Sequence, residues 1–276
     1  MPVMSDVNGA DLYYNEQGSG SPLVFVHGSL GDYRTFEPQF AEFSKRYRII
    51  SYSRRFHPPN PWVPGDVVYS GLRHADDLAV FVRKLGLSSV YILASSYGAY
   101  TALLYALSNQ ANVRAMVLGE PPILPMLQHT ARGQALATAF GVVITGAREA
   151  FARDDLEAGL RFFVDGIRGG SGAFDRISPE GRVQLLNFGR EMQRELLTAD
   201  AHYFPGVSRG QLKGLNVPTL LVTGQLSPAM FHVITDEIEA SLPRVRRVEI
   251  PDAGHSMHST NPEFYNNEVL AFLSAY

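Results

Sequence analysis

Short apolar runs recur along the chain, and segments with a helical spacing of apolar residues lie between several of them. A short run that is apolar throughout is typical of a strand buried on both faces of a parallel sheet. Between residues 71 and 85, apolar side chains instead recur with the 3.6-residue period, which predicts a helix with one buried stripe. The pattern therefore predicts an α/β fold with a mostly parallel central sheet flanked by helices. The predicted strands span 23–26, 48–52, 90–93, 113–118, 218–223 and 245–250.

The first residues predict an antiparallel pair of strands. Segments 2–5 and 11–15 flank Asn8-Gly9, a dipeptide that readily takes the positive φ angles of a tight hairpin turn. The segment 53–69 contains four prolines, which lack an amide hydrogen, so we predict an ordered loop there rather than a helix or a central strand. Further helices are predicted at 33–44, 99–107, 229–242 and 262–276.

From residue 121 to about residue 214, the alternation of strand and helix patterns stops. No convincing strand pattern occurs in this segment, and helical patterns lie near 130–139, 154–167 and 179–197. We therefore predict one core domain made of residues 1–120 and 215–276, with residues 121–214 inserted into it as a helical cap.

Composition narrows the classes of function. With 276 residues, 45% of them hydrophobic, the chain is long enough to bury a large core. The formal charge of −3 and the scattered basic residues give no electrostatic footprint for nucleic acid. Cysteine is absent, which excludes disulfides, thiolate metal sites and cysteine nucleophiles. The first residues do not resemble a signal peptide, and no apolar run approaches the roughly 18 residues of a membrane span. We therefore expect a cytoplasmic protein without a membrane span.

The segment from Val90 to Ala106 changes from a strand pattern to a helix pattern without an intervening loop. So abrupt a change requires a strained backbone at the pivot residue and small residues two positions to either side of it. Ser96 meets this requirement, because Ala94 and Gly98 flank it. Ser95 does not, because its flanking residues are bulky. We therefore expect the Ser96 hydroxyl to be presented at the top of the turn.

Residues 94–98, Ala-Ser-Ser-Tyr-Gly, resemble the nucleophile elbow of the α/β-hydrolase superfamily, although the family usually has Gly where this chain has Ala94. The pair His27-Gly28 after a predicted strand resembles the oxyanion loop of that family. His255 directly follows the last predicted strand, where the family carries its catalytic histidine. The resemblance covers essentially the whole chain. It implies an α/β-hydrolase fold, with Ser96 as nucleophile and His255 as its base.

A serine nucleophile needs a base and also a carboxylate that orients the base. For the base, His258 is the alternative to His255. The family most often places the acid in the loop after the strand 218–223, but that loop contains no carboxylate here. Glu120 ends the strand after the elbow unit, and a right-handed crossover places that strand beside the elbow strand. Some branches of the family carry their acid there. We predict Glu120, with Asp252 and Asp236 as alternatives.

The developing oxyanion requires two backbone amides aimed at one point. The resemblance assigns them to Tyr97, at the N-terminus of the helix after the elbow, and to Ser29, after the His-Gly pair. The implied function is a serine hydrolase that cleaves a carboxylic ester or lactone through an acyl-enzyme. This chemistry requires no metal, and the sequence shows no cofactor motif. The alternatives are a cofactor-free oxygenase or perhydrolase of the same fold, and a ligand receptor with vestigial hydrolysis.

Substrate selection is expected in the cap and in the proline-rich loop, where aromatic residues favour a small hydrophobic ester or lactone as substrate. Half or more of these aromatics are expected to pack the cap onto the core. His27 and Gly28 are predicted near the substrate. Arg54 and Arg55 are interpreted as a solvated loop pair rather than as a site for a substrate carboxylate. A monomer or a homodimer is expected. The aromatic candidates are Trp62, Phe140, Phe162, Phe163, Phe174, Phe188, Tyr203 and Phe204, and the predicted substrate contacts among them are Trp62, Phe140 and Phe163.

Overall fold

The computed structural model describes residues 2–62 and 69–276. Within these residues an eight-stranded sheet forms the centre of the molecule. Its strands are β1 (Val3–Val7), β2 (Ala10–Gln17), β3 (Ser21–Val26), β4 (Tyr47–Tyr52), β5 (Val90–Ser95), β6 (Val113–Gly119), β7 (Thr219–Gly224) and β8 (Val245–Ile250), in the spatial order β1-β2-β4-β3-β5-β6-β7-β8. Strands β3 to β8 are parallel to one another, and β1 and β2 add an antiparallel hairpin at one edge. The predicted mostly parallel sheet is confirmed.

The hairpin turn and the helices follow the sequence pattern closely. Asn8 and Gly9 have φ angles of 50° and 77°, as the predicted tight turn between β1 and β2 requires. The helices are α1 (Glu37–Phe43), α2 (Gly71–Lys84), α3 (Tyr97–Asn109), α4 (Ala131–Ala152), α5 (Leu156–Ile167), α6 (Pro179–Leu186), α7 (Gly189–Leu197), α8 (Asp200–Tyr203), α9 (Arg209–Lys213), α10 (Ala229–Glu239), α11 (Met257–Thr260) and α12 (Pro262–Leu273).

The sheet separates two apolar layers, because successive side chains of a strand point to opposite faces. On β3, Leu23 and Phe25 pack into the layer formed with α1 and α12. Val24 and Val26 pack into the other layer, which contains α2, α3 and the helices that follow β6. Burial on both faces explains why the central strands are continuous apolar runs rather than alternating ones.

The segment between β6 and β7 is helical throughout its regular elements, from α4 to α9. Two of its helices differ from the prediction. The helix predicted at 130–139 extends to Ala152, and the helix predicted at 179–197 is divided into α6 and α7. We refer to residues 121–214 as the cap, although the domain boundaries themselves stay a prediction.

By length and composition, α4 is apolar enough to cross a membrane, with a mean hydropathy of 1.3 over its most apolar window, contrary to the expectation that no such segment exists. In the fold this helix packs along α5 and contributes the side chains of Phe140 and Ile144 to a cavity wall. Only 17% of its most apolar window is buried, so packing within the cap accounts for a part of its apolar character. In the proline-rich segment, residues 53–62 contain neither helix nor strand, as predicted, and the rest of that prediction, at residues 63–68, lies outside the described residues.

Candidate active site

Ser96 is the pivot between β5 and α3, as the sequence predicts. Its backbone has φ 54° and ψ −128°, a conformation that a residue with a side chain rarely adopts. The Ser96 amide donates to the carbonyl oxygen of Gly119 at 2.7 Å, which ties the pivot to the end of β6. The half-buried Ser96 side chain lines a cavity beneath the cap. The strain at this turn is thus held by the neighbouring strand.

Small residues at 28 and 98 allow the loop after β3 to pass directly against the elbow. A Cβ atom placed on Gly98 would lie 2.3 Å from the carbonyl oxygens of both Val26 and His27. A Cβ atom on Gly28 would lie 2.8 Å from the Cβ atom of Ser96. Neither position can carry a side chain without moving the backbone. The role of Gly28 is therefore close packing beside Ser96, and this loop is held against the elbow.

Glu120 and His255 meet at the same edge of the sheet. The Nδ1 atom of His255 lies 2.5 Å from Oε2 of Glu120, and Oε1 of Glu120 accepts a hydrogen bond from the Gly224 amide at 2.8 Å. Glu120 is completely buried. The imidazole also stacks on Phe231, with ring centroids 4.3 Å apart, and Phe231 lines the same cavity as Ser96. A carboxylate on Nδ1 holds that proton in place and leaves Nε2 as the atom able to take up another.

The alternative acids and the alternative base lie elsewhere. Asp252 is exposed, and Asp236 pairs with Arg247 at 2.5 Å on the outer side of α10. The buried imidazole of His258 packs on Phe36, 4.9 Å between ring centroids. Burial lowers the pKa of His258 to about 4, with a smaller contribution from the charge of His255. The structure therefore brings together the residues that the sequence ranked first for acid and base.

His27 holds the loop after β3 through its ring nitrogens. Its buried ring accepts a hydrogen bond at Nε2 from the amide of Arg54, at 2.9 Å, so Nδ1 carries the proton and donates to the carbonyl oxygen of Gly28 at 2.8 Å. Burial, and secondarily the charge of Arg54, hold the pKa of His27 well below its usual range. Both ring nitrogens of His27 thus have protein partners and the ring does not line the cavity beneath the cap, while its contact with a substrate stays a prediction. The carbonyl of Gly28 and the amide of Ser29 belong to one peptide plane, so His27 orients the Ser29 amide.

The cavity beneath the cap has a volume of about 530 Å³. Ser29, Ser96 and Tyr97 lie at its floor, and the rest of its wall is mostly apolar, with side chains from residues 122–127, α4, α5, residues 196–204 and α10. Half of the predicted aromatic candidates line it, including Phe140 and Phe163. Arg148 and Asp200 also line it, but they form an ion pair with each other. The aromatic residues in the wall are Phe140, Phe163, Tyr203, Phe204 and Phe231.

Trp62 does not line the described cavity, contrary to the prediction. Its side chain is 46% exposed and packs beside Phe56, with Arg194 stacked over both rings.

The interpretation of Arg54 and Arg55 as a solvated pair is also wrong. Arg55 is buried and forms two hydrogen bonds of 2.7 Å with Asp77. Both arginines are buried because acceptors inside the protein bind their guanidinium groups. The sequence of a loop does not reveal such acceptors.

Sequence reasoning missed a buried polar cluster between the cap and the core. Glu191 and Glu195 lie one turn apart on the inner face of α7, and oxygen atoms of both, with a ring nitrogen of His57, lie within 4.8 Å of one another. Glu195 accepts hydrogen bonds from the hydroxyls of Ser29, Tyr69 and Tyr203. The i, i+4 spacing of two glutamates beside apolar residues was the available signal, but glutamate is ordinarily exposed.

Glu191 is best described as a neutral carboxylic acid. Burial, and secondarily the negative charge of Glu195, raise its pKa well above the usual value. The Nδ1 atom of His57 donates to the carbonyl oxygen of Gly31 at 2.8 Å, so Nε2, which faces Glu191 at 3.0 Å, is an acceptor. Protonation of Glu191 places a donor beside that acceptor. Three possible ligands for a cation are present, one imidazole and two carboxyl groups. However, the oxygens of Glu195 already accept three hydroxyl hydrogens, and the buried Arg54 acts electrostatically on both carboxyl groups.

Replacing Glu191 by glutamine is expected to stabilise the fold at alkaline pH. An unfolded chain releases the Glu191 proton near its ordinary pKa of 4.5, whereas the folded state still holds it above that pH. The wild type therefore loses stability as the pH rises above 4.5. A glutamine at this position has no proton to lose. The charged groups that act on Glu191 are Glu195, Arg54 and Asp32.

Thermal unfolding at pH 5 and at pH 8 measures the effect. The melting temperature of Glu191→Gln minus that of wild type should be larger at pH 8 than at pH 5. The same change at exposed Glu149 on α4 should leave the difference constant. An equal displacement at both pH values for Glu191→Gln contradicts a neutral buried acid.

Comparison with known proteins identifies the architecture. The family profile described as alpha/beta hydrolase fold matches residues 21–262. A non-heme haloperoxidase of Rhodococcus erythropolis is 26% identical over 287 aligned positions, which cover 100% of both chains. A thermophilic esterase from Thermogutta terrifontis superposes with a TM-score of 0.74 at 23% identity, over 96% of this chain and 94% of the esterase. An N-acyl homoserine lactone degrading enzyme superposes with a TM-score of 0.75 at 19% identity, over 98% of this chain and 100% of the other.

Proposed function

Because the chain belongs to the alpha/beta hydrolase fold family, we propose that it is a serine hydrolase that cleaves a carboxylic ester or lactone through an acyl-enzyme. The observation that carries the proposal is the contact of 2.5 Å between Glu120 and His255 at the sheet edge where strained Ser96 lines an apolar cavity. The esterase and lactone-degrading neighbours support the same reaction class.

Each residue has a role that follows from its position. The Ser96 oxygen attacks the carbonyl carbon of the substrate while Nε2 of His255 takes the hydroxyl proton. Glu120 holds the imidazole and stabilises its cation. The amide of Tyr97, at the N-terminus of α3, and the amide of Ser29 stabilise the oxyanion. His255 then returns the proton to the leaving alkoxide, and a water molecule, activated by the same imidazole, releases the acid from Ser96.

The cavity favours an uncharged substrate with an apolar group. Its wall is mostly apolar, and the charges of Arg148 and Asp200 compensate each other. A substrate carboxylate would have to break that pair or lie unpaired against the apolar wall, which costs free energy. A volume of about 530 Å³ lies within the range of ordinary small-molecule sites. We therefore propose hydrophobic esters or lactones as the substrate class.

A second candidate is perhydrolysis by the same residues, which the full-length similarity to a protein named as a non-heme haloperoxidase favours. In that reaction hydrogen peroxide, rather than water, attacks the acyl-enzyme. The acyl group leaves Ser96 as a peracid and the serine proton is restored. The two candidates share the acyl-enzyme and differ in the second nucleophile.

Labelling with a fluorophosphonate probe, followed by peptide mass mapping, tests the proposal. We expect modification at Ser96 and a burst of nitrophenol from a nitrophenyl ester, because acylation precedes slower release of the acid. Ser96→Ala should lose both signals, while Ser95→Ala, a change of the neighbouring serine, should keep the labelling. Peroxide-dependent peracid formation that exceeds hydrolysis would favour the second candidate. Tight ligand binding without labelling or turnover would contradict both and favour a receptor.

A further inference from the structure

The two residues whose amides we assign to the oxyanion hole also bind the cap through their side chains. The hydroxyl of Ser29 donates to Glu195 on α7. The hydroxyl of Tyr97 donates to the backbone carbonyl of Tyr203 on α8 at 2.6 Å, and the two tyrosine rings stack with centroids 4.8 Å apart. Both sides of the site floor are thus attached to the cap segment rather than to the core alone.

These two attachments converge on one carboxyl group. The backbone carbonyl of Tyr203 accepts the hydrogen bond from the Tyr97 hydroxyl. The hydroxyl of Tyr203 in turn donates to Glu195. Glu195 is completely buried and also accepts from the hydroxyl of Tyr69 at 2.9 Å. The network continues to Arg54, whose Nη1 atom donates to the Tyr69 oxygen at 3.0 Å. Removing Glu195 therefore affects several hydroxyl positions at once.

Arg54 links the Glu195 network to the loop after β3. The guanidinium is buried, donates through Nε to the carbonyl oxygen of His27 at 2.9 Å, and lies over the Tyr97 ring at 5.2 Å from its centroid. The hydroxyl of Tyr69 joins this guanidinium and the Glu195 carboxyl group in one hydrogen-bonded network. The same guanidinium thereby connects the carboxyl hub to the loop that carries Ser29.

We propose that Glu195 is a positioning residue for the oxyanion hole, so that the cap takes part in transition-state stabilisation and not in substrate selection alone. The hydrogen bond from Ser29 to Glu195 fixes the side chain of the residue whose amide faces the oxyanion. The contact through Tyr203 does the same for Tyr97. The inference rests on the proposed hydrolase function, since it assigns a role within that reaction.

The consequence is a particular kinetic signature. Donors of an oxyanion hole act on the tetrahedral state more strongly than on the bound ester, so a shift of the donors lowers kcat more than it raises KM. A displacement of about 1 Å in a positioned group costs on the order of 100-fold in rate. A residue that only shaped the cavity would change KM instead.

The test compares Glu195→Gln, Ser29→Ala and the double variant with wild type on a nitrophenyl ester. Glutamine keeps the size of the side chain but offers one acceptor oxygen for three hydroxyl donors. We expect kcat to fall about 10- to 100-fold in Glu195→Gln. Ser29→Ala should show a smaller loss, and the double variant should resemble Glu195→Gln, because both single changes break the same hydrogen bond. Glu149→Gln on α4, an exposed glutamate of the cap, is the matched control and should retain wild-type kinetics.

A trifluoromethyl ketone with the same apolar group separates positioning from folding and from cavity shape. This probe forms a tetrahedral adduct on the serine, so its affinity should fall by the same factor as kcat/KM, while the affinity for the corresponding unfluorinated ketone stays near that of wild type. If thermal unfolding shows that Glu195→Gln is poorly folded, Tyr203→Phe serves as the second variant. It removes one hydroxyl that donates to Glu195 and should reproduce part of the loss in kcat. Multiplying effects in the double variant, or a rise in KM at constant kcat, overturns the inference. A wild-type protein that neither hydrolyses the ester nor labels at Ser96 overturns the proposed function instead.

Discussion

Glu120→Gln is expected to lower kcat by about three to four orders of magnitude while the protein stays folded. The glutamine oxygen can still accept the Gly224 amide, so the buried position keeps one of its two hydrogen bonds. The amide group loses the negative charge that holds the Nδ1 proton of His255 and stabilises the imidazolium formed when Ser96 attacks. In serine proteases, the loss of the orienting carboxylate costs about 10⁴-fold for this reason.

The measurement is steady-state hydrolysis of a nitrophenyl ester, accompanied by a thermal unfolding curve. Asp252→Asn and Asp236→Asn are the matched controls, since both are exposed carboxylates that the sequence left open as the acid. Near-wild-type activity in Glu120→Gln together with a large loss in Asp252→Asn would show that our assignment of the acid is mistaken. If Glu120→Gln is partly unfolded, the rate of single-turnover acylation in its folded fraction is compared with that of wild type instead.

The predicted positions that the structure reproduces, the pivot at Ser96 and the contact of Glu120 with His255, follow from local sequence or from topology. The pivot at Ser96 could be identified because its two flanking small residues are close in sequence and the requirement for them is steric. Glu120 could be identified because parallel strands joined by a right-handed crossover end at one edge of a sheet. Neither inference needed a long-range side-chain contact.

The burial of Arg54, Arg55 and Glu195 could not be predicted because their partners are distant in sequence. Arg54 and Arg55 occur on a loop, where solvation is the ordinary expectation, and they are buried because Tyr69 and Asp77 lie beneath them. Glu195 resembles an exposed helix residue until Ser29, 166 positions away, is brought to it. A single sequence contains no signal for such a pair, so a buried charged network is the least predictable part of the site.

The helix boundaries in the cap show a related limit. Gly141 and Gly146 lower the helix propensity beyond residue 139, where the predicted helix ended. The helix continues because Gly146 lets α4 approach α5, where an added Cβ atom would lie 2.8 Å from the ring of Phe162. The break between α6 and α7 precedes Gly189, which packs closely on Leu156 of α5. Packing between helices therefore overrides the propensity of the individual residues.

Acidification is expected to destabilise the fold through its buried histidines. Burial, with a smaller contribution from the charge of Arg54, holds the pKa values of His27, His57 and His74 well below the usual 6.5. The unfolded chain takes up these protons near pH 6.5 and the folded protein does not. The free energy of unfolding should therefore fall as pH decreases below 6.5, by about 1.4 kcal/mol per pH unit for each such histidine.

His74 offers the sharpest test of this dependence. Its ring is buried against Tyr69 and Tyr97, and neither ring nitrogen has a hydrogen-bond partner among the described residues. His74→Phe keeps the aromatic packing and removes one titrating group, so its free energy of unfolding in urea, relative to wild type, should rise by about 1.4 kcal/mol per unit between pH 6 and pH 5. His202→Phe at an exposed position of α8 should leave the wild-type slope unchanged. Parallel curves for wild type and His74→Phe would mean that His74 carries the same proton count in both states.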